Sequence, residues 1–235
     1  MQDRYAGDVG DFVKLGLLRM LSVERKLGIA WYRFPNENHN NDGRHISYLE
    51  RPEWYAALDP PLFHHLKEVV RSARSISSLL PMLENAEFYE ESLNVASCPI
   101  SERRRFRKAW FAGALEKLAE CDIVFADPDN GIVDDDDRRK GSAKFGKQIP
   151  IDEIRRLAEG RCAIIYHHNT RRPGGHDAEV NHLLSEIALP SFAIRAKAHS
   201  PRTFFVINAD EEIAERCKIF CERWGKMKVS LYHQL

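Results

Sequence analysis

Asp127-Pro128-Asp129-Asn130-Gly131 places two carboxylates two residues apart, directly after the apolar run Ile123-Val124-Phe125-Ala126. Pro128 cannot donate to a sheet ladder and Gly131 can take a positive φ, so a buried strand is expected to stop here and become a turn. Carboxylates at such a turn can accept a proton or hydrogen bond from a substrate, or hold a hard cation that activates water. His167-His168 closes a second apolar run, Arg161 to Tyr166, and lies beside Asp127 if the two strands are neighbours. Asp127, Asp129 and His167 would then suit one or two divalent metal ions acting on a phosphodiester, the chemistry of a nuclease or phosphohydrolase. An EF-hand is excluded: the glycine comes one position early, no closing Glu follows, and a strand precedes the loop.

Three further groups bear on such a site. Tyr5 and Lys14 flank the start of a helix that Asp8 can cap, with Asp11 in its first turn and Phe12, Leu15, Leu18 and Leu21 as its inward stripe. Lys14 falls off that stripe. Asn36-Glu37-Asn38-His39-Asn40-Asn41-Asp42 follows the first apolar run, Gly28 to Phe34, where a nucleotide-type cofactor is normally met. The run contains no Gly-x-Gly, so the backbone cannot come as close to a ligand as a glycine turn allows. Arg103, Arg104, Arg107 and Lys108 crowd the start of another helix, a cationic surface able to neutralise nucleic-acid phosphates without reading sequence.

The elements that must position these groups alternate along the chain. Strands are expected at Gly28–Phe34, around Glu87–Glu90, at Cys121–Ala126 and at Arg161–Tyr166, with helices between them. Phe192–Ala196 and Thr203–Asn208 flank Ser200-Pro201-Arg202, a gap of hairpin length, so the last two strands should pair antiparallel. Asp134 to Asp137 read as a mobile acidic flap. Ser101 is the expected cap of the basic helix, and Glu211 to Trp224 a closing amphipathic helix. The expected architecture is α/β, mostly parallel, with a C-terminal antiparallel hairpin and helices on both faces of the sheet.

Composition narrows the field further. The 235 residues, 43% hydrophobic, can bury one complete core, so a single domain over residues 1–235 is expected. Thirty-five cationic residues balance thirty-five anionic ones, so a polyanion would have to be met by a patch rather than by global attraction. Five scattered cysteines are an odd number and suggest reduced thiols in a cytoplasmic protein. No apolar stretch nears the ~20 residues of a membrane span.

These landmarks together resemble the adenine-N6 methyltransferases of large-subunit ribosomal RNA. That family opens with a Tyr and an Ala-Gly-Asn-x-Ala-Asp-Val-x-Lys segment, similar to Tyr5-Ala6-Gly7-Asp8-Val9-Gly10-Asp11-Phe12-Val13-Lys14. Its Asp-Pro-Pro-Tyr loop falls on Asp127-Pro128-Asp129-Asn130, and its final Met-Ile-Val-Ile-Asn strand on Phe204-Phe205-Val206-Ile207-Asn208. The resemblance implies a Rossmann-like methyltransferase sheet and methyl transfer from S-adenosylmethionine to an exocyclic amine of a nucleic acid base, adenine N6 favoured. By it, Asp127 and the carbonyl of Pro128 accept the amine's hydrogens, Asn130 holds the place of the base-stacking aromatic, and Lys14 belongs to the catalytic set. Tyr5, Asn36, Asn38 and Asp42 are the implied cofactor contacts, and RNA or DNA the implied partner. Asp129 stands where the family has its second proline. Beside this reading stand the metal-dependent hydrolase and a non-catalytic binding module that has lost its cofactor.

Overall fold

The computed structural model describes residues 2–36, 43–136 and 139–232. Helix α1 (Val9–Leu21) begins where expected, because the Asp8 carboxylate accepts the backbone N–H groups of Gly10 at 2.7 Å and Asp11 at 3.1 Å. Two donors that the helix leaves unpaired are thereby satisfied. It ends at Leu21, and the chain then turns through Glu24 at a φ of 58°. Strand β1 (Leu27–Ala30), the short α2 (Pro52–Tyr55), α3 (Pro60–Arg71) and β2 (Ala86–Tyr89) follow. Ile76–Met82 form a 3-10 helix that accommodates Pro81.

Next come α4 (Ile100–Lys117), β3 (Ile123–Ala126), the small parallel pair β4 (Ile132–Val133) and β5 (Ile149–Pro150), and α5 (Ile151–Leu157). α4 starts one residue before Ser101, with Pro99 at its N-cap and no side chain capping it. The chain closes with β6 (Cys162–His168), α6 (Gly175–Ile187), β7 (Ser191–Ala196), β8 (Arg202–Ile207), α7 (Glu211–Arg223) and β9 (Val229–Tyr232). β9 was not foreseen. It pairs antiparallel with β7 and covers what would otherwise be an open edge.

Seven strands form one sheet in the order β2-β1-β3-β6-β8-β7-β9. β2, β1, β3, β6 and β7 run one way, while β8 and β9 run against them. The architecture is therefore the expected Rossmann-like α/β sheet, mostly parallel, with the β7–β8 hairpin antiparallel. The first strand is shorter than its apolar run: Trp31 and Tyr32 are buried beyond Ala30. Pairing there thins to the Trp31 N–H bonded to the Tyr89 carbonyl and an isolated bridge between Arg33 and Ser92.

One core lies between the sheet and α1, α3 and α7, and a second between the opposite face and α4, α5 and α6. Where α1 meets α7, contact is backbone-close: a Cβ on Gly16 would stand 2.4 Å from Cζ2 of Trp224. No helix among the described residues is long and apolar enough to cross a membrane.

Gly16→Ala should force this seam apart and cost about 1–3 kcal/mol, the usual penalty for overpacking. Urea denaturation should show it as a lower midpoint with little change in slope.

Candidate active site

β1 is flanked by β2 on one side and β3 on the other, so the connections that follow β1 and β3 part at this point of the sheet. Such a switch point leaves a crevice at the carboxyl ends of the strands. Asp127 stands on its rim, its N–H bonded to the carbonyl of Ala30 at 3.2 Å.

Strand alternation decides which way each group faces. Ile123 and Phe125 pack on the α1 side, Val124 and Ala126 on the other, so Asp127 points toward α1. On β6 the even positions, Cys162 and Ile164, share the α1 side, which brings Tyr166 and His168 beside Asp127. His167 is turned through the sheet.

Lys14 meets Asp127 from α1. It is buried, not off the packing face as its position had suggested, and its Nζ lies 2.8 Å from Asp127 Oδ2 and 2.9 Å from Asp11 Oδ1. The ammonium also sits 5.6 Å from the ring centre of Trp31 and 5.4 Å from that of Tyr166, within cation–π range. Burial alone would lower the Lys14 pKa; Asp11 and Asp127 outweigh it and hold the lysine charged well above its ordinary range. Burial pushes both carboxyls up, against the pull of Lys14. One ammonium thus serves two carboxylates, and Asp127 is more basic than a solvated aspartate.

The hollow in front of this cluster has a volume of about 320 Å³. Its walls include Tyr5, Asp8, Gly10, Asp129, Asn130, Arg44, His45 and Arg202 besides the groups named. Asp127 Oδ2 is committed to Lys14, while no described donor bonds Oδ1. Asp129 accepts a hydrogen bond from Gln2 Nε2 at 2.9 Å, and the exposed Asn130 bonds the Lys147 carbonyl through its backbone N–H. Pro128 contributes its carbonyl to the Gly131 N–H at 3.2 Å, closing the turn.

His167 does a different task on the far face. Its Nδ1 accepts the Ile132 N–H at 3.0 Å, leaving Nε2 as the donor, 3.3 Å from Glu179 Oε1. Gly131, at a φ of 77°, lets the loop pass this ring: a Cβ there would come within 2.4 Å of Nδ1. Glu179 also accepts from Asn169 Nδ2 at 3.2 Å and from the Thr170 N–H and hydroxyl. Burial opposes its charge, but the bonds from His167, Thr170 and Asn169 bring the Glu179 pKa down to about 2. The expected trio Asp127, Asp129 and His167 is therefore divided by the sheet. Among the described residues no three His, Cys, Asp or Glu side chains gather as a metal-ligand set.

The remaining expected groups separate similarly. Tyr5 lines the hollow, but Asn36 belongs to a smaller one of about 250 Å³ with Gln2, Arg33 and Glu90, where its side chain bonds Asp3. Asn38 and Asp42 lie outside the described residues. Arg103, Arg104, Arg107 and Lys108 are on α4, across the sheet from Asp127. Arg107 is not a surface residue: it is 3% exposed, forked onto Glu153 at 2.7 and 2.8 Å, and bonded to the carbonyls of Phe145 and Gln148. Arg103 bonds the carbonyls of Cys98 and Gly141. In the acidic run, Asp134 meets His182 and Asp135 accepts the Asp152 N–H, while Asp137 lies outside the described residues.

Asp11, Tyr166 and Arg202 went unnoticed as site residues. Asp11 carried a signal, since Asp and Lys three apart on a helix can share a face. Arg202 carried none, because it sits where only a hairpin gap was legible. No family model matches this sequence, and no curated protein matches it.

Lys14→Met should strand two buried carboxylates and cost about 3–5 kcal/mol, with part regained in the double variant Lys14→Met/Asp127→Asn; chemical denaturation measures both. Glu179 should add stability that is complete above its ordinary pKa of 4.5 and lost as pH falls toward 2. Across that window the stability of Glu179→Gln should fall less steeply than that of the native protein, read from urea midpoints.

Proposed function

We propose that this chain transfers a methyl group from S-adenosylmethionine to an exocyclic amine of a nucleic acid base, with adenine N6 favoured. The observation that carries the reading is the state of Asp127. One carboxylate oxygen is fixed by Lys14, the other has no described donor, and the group stands at the switch point of a Rossmann-like sheet. The resemblance of the Asp127–Asn130 loop to the family's Asp-Pro-Pro-Tyr loop supports the same assignment.

An exocyclic amine is a poor nucleophile because its lone pair is delocalised into the ring. A fixed acceptor that draws on one amine hydrogen makes the nitrogen more tetrahedral, and a second acceptor aligns it. Asp127 Oδ1 serves as the first acceptor, raised in basicity by burial, and takes the proton the amine sheds. The Pro128 carbonyl, with one lone pair used by Gly131, has another for the second hydrogen. Lys14 acts by holding Asp127 in one rotamer. Asn130 offers an amide edge to the base in place of an aromatic face.

The residues present fit a nucleoside cofactor. At the carboxyl ends of β1 and β2 the smaller hollow offers the Glu90 carboxylate, an acceptor suited to ribose hydroxyls, and the Gln2–Asp129 bond joins its wall to that of the larger hollow. S-adenosylmethionine, when bound, supplies an electrophilic methyl on a sulfonium. The metal-dependent alternative fits less well, because Lys14 already neutralises Asp127 and His167 faces away.

Calorimetry should detect S-adenosylmethionine binding to the native protein, retained within a few-fold in Asp127→Asn. Transfer of labelled methyl to an adenine-containing RNA oligonucleotide should fall about 10²–10⁴-fold in that variant. Absence of cofactor binding would leave a binding module as the better description, and undiminished transfer would remove Asp127 from the chemistry.

A further inference from the structure

Among the described residues that line the cleft, Arg202 is a buried cation with no carboxylate bonded to it. It opens β8 opposite His168, on the same face as Asp127, and is 3% exposed. Its Nη2 donates to Ser200 Oγ at 2.6 Å, while Nε and Nη1 are buried without a hydrogen-bond partner. A buried guanidinium with two idle nitrogens is costly unless something else supplies acceptors.

The surroundings say what that something is. The first turn of α1 closes over the guanidinium, with Gly10 so near that a Cβ would lie 3.4 Å from Arg202 Cζ. Arg44 and His45 line the same end of the hollow. His199, whose ring is 5.3 Å from that of His45, has its pKa lowered by burial and by the nearby His45, Arg202 and Lys228. Asp8 is the opposing charge, but its Oδ1 is occupied by the N–H groups of Gly10 and Asp11. Asp11 and Asp127 are engaged with Lys14.

We propose that Arg202, with Ser200 and His45, is the seat of a phosphate group belonging to the nucleotide whose base lies over Asp127. β3 and β8 are separated by β6, two interstrand steps or about 10 Å, the order of a nucleotide's length from exocyclic amine to 5′-phosphate. That the phosphate is carried by a nucleotide rests on the base-binding reading above; the oxyanion seat itself does not.

Titration with adenosine 5′-monophosphate and with adenosine tests it. The native protein should bind the monophosphate at least tenfold more tightly, and Arg202→Gln should bring the two within about twofold while leaving adenosine affinity unchanged. Inorganic phosphate should compete with the monophosphate in the native protein alone. Equal binding of the two ligands by the native protein, no binding of either the monophosphate or inorganic phosphate, or a preference that survives in Arg202→Gln would each overturn the seat. Should Arg202→Gln fail to fold on thermal melting, Arg202→Lys, which keeps the charge but loses the fork, should still reduce the preference several-fold, and an undiminished preference there overturns it equally. S-adenosylmethionine binding, measured separately on the same proteins, reports on the methyl-transfer reading and should not change with Arg202.

Discussion

A single ammonium group between two buried carboxylates holds the cleft together. Lys14 reaches from α1 to Asp127 on β3 while also bonding Asp11 on its own helix. An ionised aspartate at the end of a central strand, with apolar residues behind it, is too costly to keep without a counter-charge. The position of α1 over the sheet is thus linked to the protonation of Asp127. Gly16, packed directly on Trp224, lets the helix come low enough to make that contact.

The sheet then acts as a partition. Its pleat sends Asp127, Tyr166, His168 and Arg202 to one side, and His167 with Thr203 to the other. On the first side polar groups converge on a hollow. On the second, Glu179, Asn169 and Thr203 bond one another, and His167, with Nε2 3.3 Å from Glu179 Oε1, accepts the Ile132 N–H and so pins the loop after Asp127. Two histidines adjacent in sequence therefore have unrelated roles, one lining a cleft and one bracing the turn beneath it.

Charge in this chain is sorted locally, in keeping with its overall balance. Of the α4 cations, Arg107 makes a buried fork onto Glu153 and Arg103 and Arg107 bond carbonyls of Gly141, Phe145 and Gln148, while Arg104, Arg105 and Lys108 are exposed; Asp134 and Asp135 are held by His182 and a backbone N–H. Arg107, which reads as surface in the sequence, is internal fastening. Inside the cleft, Arg202 is buried with Nε and Nη1 lacking a hydrogen-bond partner among the described residues.

The alternation of apolar runs and helical stripes was legible in the sequence: the order of strands and helices, the Asp8 cap and the β7–β8 hairpin are all local patterns that burial and backbone chemistry impose. The Asp127 turn was legible for the same reason, since Pro128 and Gly131 end a strand wherever it lies. Not legible were the burial of Lys14 and Arg107, the edge strand β9, the inward face of Arg202 and the opposite face of His167. Each depends on which element lies against which, and side-chain type alone does not say whether a cation meets water or a carboxylate brought from over a hundred residues away. Local propensity set the pieces, and the pairing of distant charges across the sheet decided which of them form a site.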